Sequence, residues 1–84
     1  MNRRRLLKRL LTGALQNVSF RDLVALVEAF GFRPMRVTAS HHIFGHTAVP
    51  ELLNLQEVRG EAKPYQIRQF LRLVERYNLT MEEA

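Results

Sequence analysis

Three histidines fall within six positions, His41, His42 and His46, and their side chains are the ones in this chain best suited to moving a proton near neutral pH. Metal ligation and general acid–base catalysis both use such rings. Spacing disfavours the first. In an extended strand His42 and His46 share a face but stand about 13 Å apart, at roughly 3.3 Å per residue, while His41 points to the other face. No carboxylate or thiol lies among them to complete a ligand set, so neither a metal nor another cofactor is expected. Acid–base work in a phosphoryl-transfer step suits an imidazole that accepts and returns a proton. The same rings also suit a solvated polar strand edge.

A phosphate-bearing substrate calls for cations, and Arg33, Arg36, Arg59, Lys63, Arg68, Arg72 and Arg76 supply them. Arg68, Arg72 and Arg76 recur every fourth residue and form a ridge, which is also how a solvated helix face reads. Lys63 stands just before Pro64, at a helix start whose unpaired N–H groups attract anions. Lys and Arg together number 13 against 8 acidic residues, a formal charge of +5 that favours a polyanionic partner such as nucleic acid. Phe20, Phe30, Phe32 and Phe70 occupy core-like positions and are read as packing rather than base-stacking platforms.

The elements that must hold these groups follow from periodicity. Leu6, Leu7, Leu10, Leu11, Ala14 and Leu15 repeat at helical spacing, weakened at Gly13, and predict a basic amphipathic helix. Ser19 offers an N-cap with Asp22 three residues on, and a second helix carries Phe20, Leu23, Val24, Val27 and Phe30 on one stripe before Gly31 ends it. From Phe32 the period becomes two. Met35, Val37 and Ala39 alternate with Arg36, Thr38 and Ser40, predicting a strand with one buried face and a tight hairpin around Ala39 to His41. A second strand runs to about His46. Ile43 and Phe44 are adjacent and both apolar, so alternation leaves open whether His41 or His42 faces solvent.

A loop through Thr47 and Pro50 leads to a third strand over Leu52 to Gln56, and Pro64 opens a last helix with Ile67, Phe70, Leu71, Val74 and Tyr77 on one face. The fold class expected is α+β, with an antiparallel three-stranded sheet covered on one face by helices. After the first helix the α-β-β-β-α order is that of double-stranded-RNA-binding domains. The 84 residues leave room for one compact core, divided here into an N-terminal basic helix (1–17) and the domain proper (18–84). There is no cysteine, so packing alone must hold it. Lys8 and Arg9 interrupt the N-terminal leucines before a signal-peptide core can form, and no stretch reaches a membrane span, so a soluble, cytoplasmic protein is expected.

Three blocks resemble the HicA-type toxins: Phe30-Gly31-Phe32 with Arg36 after it; Ser40-His41-His42-Ile43-Phe44 followed by His46; and Leu53-Asn54-Leu55-Gln56 leading to Ala62-Lys63-Pro64-Tyr65-Gln66-Ile67-Arg68-Gln69. The resemblance covers about 19 to 79 and extends to the ending Leu73-Val74-Glu75-Arg76-Tyr77-Asn78-Leu79. It implies a fold like that of double-stranded-RNA-binding domains and a metal-independent endoribonuclease that cuts messenger RNA and so arrests translation. It also implies a HicB-type antitoxin partner that occludes the site. His41 matches the family's essential imidazole, with Ala39, Ser40, Arg36, His42, Lys63 and Arg68 as RNA-binding or supporting residues. Ala39 stands where the family usually has Gly, and Thr47 where it usually has Pro. If position 39 requires positive φ, its methyl costs on the order of 1 kcal/mol. A catalytically impaired RNA- or antitoxin-binding module of the same fold is the alternative.

Overall fold

A computed structural model describes residues 2–82. Its elements run α1 (Arg3–Leu11), α2 (Phe20–Ala29), β1 (Arg33–Thr38), β2 (His41–His46), β3 (Val49–Val58), β4 (Glu61–Ala62) and α3 (Pro64–Arg76). The strands form one antiparallel sheet in the order β1-β2-β3-β4, each beside its sequence neighbour as short connections require. The class is α+β, but the sheet has four strands where three are expected. The extra strand arises because β3 continues to Val58 and turns back through Arg59 and Gly60, both at positive φ (53° and 79°). That pair of angles is the two-residue hairpin geometry, which here carries Arg-Gly instead of the usual Asn-Gly. The segment entering α2 then lines β4, through Ala62 N–H to Val18 O (2.9 Å) and Phe20 N–H to Gly60 O (2.8 Å).

One core serves all three helices. Leu6 and Leu10 of α1, Leu23, Leu26 and Val27 of α2, Ile67, Phe70 and Leu73 of α3, and Phe44, Leu53 and Leu55 of the sheet are buried in a single cluster. Phe20, Phe30, Phe32 and Phe70 are buried too, as their spacing predicts. α1 stops at Thr12, earlier than its leucine pattern, and Leu15 reaches the core from the loop beyond. The expected stripe of α3 omits Leu73 and includes Leu71, Val74 and Tyr77, which are only partly buried.

β1 departs most from expectation. All six of its residues are exposed, Met35 at 64% and Val37 at 59%, because it is the edge strand and lies beyond the cover of the helices. A bulge at Met35, between the pairs Pro34–Phe44 and Arg36–Ile43, also breaks the alternation. Met35 consequently lies over Gly45 beside Leu52 on the uncovered face, whereas Val37 pairs with His42.

Polar contacts hold α3 along β3 at both ends. Gln56 N–H donates to Gln66 Oε1 (2.6 Å) near the start of α3, and Tyr77 O–H donates to Glu51 Oε1 (2.5 Å) at its end, with Arg76 3.5 Å from the same carboxylate. α3 therefore runs antiparallel to β3. The hydrogen bond from Tyr77 holds the Glu51 carboxyl below its usual range and raises the Tyr77 hydroxyl above its own. A depressed carboxylate contributes stability above its unfolded-state pKa and loses it as pH falls through the folded one; a raised phenol contributes below its unfolded value and loses it in alkali. Tyr77→Phe is therefore expected to lower the denaturation midpoint near neutral pH, with the gap to the parent closing on acidification. A pH series of denaturant titrations checks this.

The turn out of α2 is as constrained. Phe32 N–H reaches Val27 O and Gly31 N–H reaches Glu28 O (3.0 Å), the paired bonds of a Schellman cap, with Gly31 at φ +97°. A Cβ on Gly31 would lie 2.7 Å from His46 Nε2. Gly31→Ala is expected to cost roughly 2–4 kcal/mol, from the left-handed backbone and the displaced imidazole together, read by urea denaturation.

Candidate functional site

The hairpin joining β1 to β2 has Ala39 and Ser40 as its two loop residues, closed by the pair Thr38–His41. Ala39 sits at φ +55°, the left-handed conformation in which an alanine methyl is strained. Ser40 is tied to β3: Glu57 N–H donates to Ser40 O (3.1 Å), and Gln56 Nε2 donates to Ser40 Oγ (3.2 Å). The loop tip is thus bonded to the strand beside it.

Register decides which imidazole faces out. Phe44 pairs with Leu53 and His42 with Leu55, and all but His42 are buried against the helices. His42 therefore turns inward, its ring 4.7 Å from that of Phe20 between centroids. His41, paired with Gln56, projects to the open face of the sheet, as do Ile43 and its partner Asn54. The question that alternation leaves open is answered by burial of Phe44 rather than Ile43.

On the open face His41 Nδ1 is 3.2 Å from Asn54 Oδ1. A carboxamide oxygen only accepts, so with Asn54 Oδ1 turned to the ring a neutral His41 would carry its proton on Nδ1 and leave Nε2 as the acceptor. Among the described residues Nε2 has no protein partner. This is the arrangement of a base whose second nitrogen is steered by a neighbour. Arg36 shares the face, two pairs along at Ile43, and is exposed. His41 is thus tied to Asn54 and Ser40 to Gln56, with Arg36 on the same face of the sheet.

The remaining candidates lie elsewhere. His46 is structural: its Nε2 donates to Phe30 O (3.0 Å), its Nδ1 accepts from Ala48 N–H (2.9 Å), and its ring packs on Phe32. Lys63 caps α3 without a side-chain bond to the helix and holds its ammonium 5.8 Å from the Tyr65 ring. Its backbone, not its ammonium, is linked to the hairpin: Lys63 O accepts from Gln66 N–H (3.0 Å), Gln66 Oε1 accepts from Gln56 N–H, and Gln56 Nε2 donates to Ser40 Oγ. Arg68 lines a groove with Leu7 and Leu71 on the helical side of the molecule. Among the described residues no three His, Cys, Asp or Glu are grouped to hold a metal ion.

Asn54, Gln56 and Gln66 are site residues that reading by residue type passes over. The alternation Leu53-Asn54-Leu55-Gln56 marks the two polar side chains as sharing a face, but only the pairing of β2 with β3 puts His41 there. Compared with protein-family models, with curated proteins and with solved structures, the chain matches none. No helix of the described residues is long and apolar enough to cross a membrane.

Because Ala39 occupies a left-handed position without the freedom of glycine, Ala39→Gly is expected to stabilise the protein by about 1 kcal/mol. Equilibrium denaturation of the two proteins measures it.

Proposed function

We propose that this protein is a toxin of the HicA type, a metal-independent endoribonuclease that cuts messenger RNA and is neutralised by a HicB-type antitoxin. The observation that carries the reading is His41 on an open sheet face, with Nδ1 engaged by Asn54, Nε2 without a partner among the described residues, and the exposed Arg36 on the same face. Beyond α1, the order α2-β1-β2-β3-α3 with the short β4 added is compatible with a fold like that of double-stranded-RNA-binding domains. The excess of cations favours a polyanionic substrate.

In this mechanism Nε2 of His41 takes the proton of a ribose 2′-OH. The O2′–P bond forms, the P–O5′ bond breaks, and the departing oxygen takes a proton from water. Arg36 offsets charge developing on the phosphate, and the Lys63 ammonium holds the backbone of a longer RNA. The tight turn through Ala39 and Ser40 brings the peptide backbone close to the substrate. DNA has no 2′-OH and is not cut. A cytoplasmic location follows from the messenger substrate.

The strained Ala39 favours a second reading, a module of the same fold that binds RNA or antitoxin without cleaving. Induced expression in bacteria, with and without His41→Ala, separates the two. The nuclease reading expects growth arrest that the substitution abolishes, and cleavage of RNA but not DNA by purified protein in a chelator, reduced on the order of 10²- to 10⁴-fold in the variant. RNA binding without cleavage supports the module. Cleavage that needs a divalent metal, or that survives loss of His41, overturns the mechanism.

A further inference from the structure

The helical side of the molecule carries an apolar groove of about 550 Å³. Leu7 of α1 and Leu71 and Val74 of α3 form its walls, and Phe30, Leu79 and Met81 complete it. These side chains pack against the core yet leave open space above them, and Leu11, 67% exposed, stands at the rim. The volume falls within the roughly 300–1,000 Å³ of sites that seat ligands.

Cations outnumber acids among the described residues that line the groove. Arg68 and Arg72 stand on the α3 wall with Glu75 as the one acidic lining residue, and α1 is Arg3-Arg4-Arg5-Leu6-Leu7-Lys8-Arg9-Leu10-Leu11, without an acid. A recessed apolar floor between two cationic helices complements a convex apolar stripe flanked by carboxylates. A membrane surface is a poorer match, since a bilayer is not convex on this scale and most of the apolar side chains are recessed.

We propose that this groove docks an acidic amphipathic helix of a partner protein, at a place separate from the open sheet face that carries His41. Apolar side chains at i, i+3, i+4 and i+7 of that helix enter between α1 and α3, and acidic residues on its flanks meet Arg72 and the basic face of α1. The docking is independent of any chemistry at His41.

The test uses the full chain, isotopically labelled, and two synthetic amphipathic helices with leucines at i, i+3, i+4 and i+7, one flanked by glutamates and one by lysines. The proposal expects the glutamate peptide to shift amide resonances of Leu7, Leu71, Val74 and Leu79 and to bind at least about tenfold more tightly than the lysine peptide, a difference of about 1.4 kcal/mol. Leu11→Ser and Arg72→Glu both alter exposed residues, so they are expected to leave the spectrum folded and weaken binding about tenfold each. Equal binding of the two peptides overturns the proposal. So do shifts confined to the open sheet face, or binding of vesicles of anionic phospholipid with none of the peptide.

Discussion

The pairing of Phe44 with Leu53 is the constraint on which the rest of this structure depends. Both rows of side chains around that pair are committed to the helical core, and a strand alternates faces with a period of two. Slipping β2 by one residue would bury Ile43 and Gly45, expel a phenylalanine and exchange the roles of His41 and His42. The outward imidazole is therefore specified by apolar burial of its neighbour, an effect worth roughly 1.5–3 kcal/mol for a side chain of this size, and needs no polar device of its own.

Polar contacts then refine what burial sets. Gln66, buried in the first turn of α3, accepts the Gln56 N–H, and the Gln56 side chain reaches Ser40 in the hairpin loop. The helix start, the end of the third strand and the loop before His41 are thus joined by hydrogen bonds. At the opposite end of the sheet, His46 bridges the last turn of α2 to the loop before β3, filling the space that Gly31 leaves. Two neighbouring histidines and a third four residues on divide into an outward ring steered by Asn54, an inward ring against Phe20 and a structural bridge. Residue type alone treats them alike; position in the pleat separates them.

Much of the fold is legible in the chain because local signals agree with it. Ser19 caps α2, Gly31 ends it, Pro64 opens α3, and the hairpin falls at Ala39 and Ser40. The failures have physical causes. Met35 and Val37 look like a buried face, but an edge strand with a bulge has no core beneath it, and periodicity cannot report where a sheet ends. β4 escapes notice because two residues are too few for a pattern and Arg59 is an uncommon residue at positive φ. In the site, alternation leaves open which imidazole faces outward, and that choice, the contact with Asn54 and the placing of Arg68 in the helical groove are three-dimensional facts.

The proposed chemistry requires His41 to be held as an oriented base. Long-range nitrogen–proton correlation spectra of the His41 ring, recorded where it is neutral and compared with Asn54→Ala, read its tautomer directly. The expected result is a neutral ring protonated at Nδ1 with Nε2 bare, and relaxation toward a mixture of tautomers when the Asn54 carboxamide is removed. A ring protonated at Nε2, or one indifferent to Asn54, would contradict it.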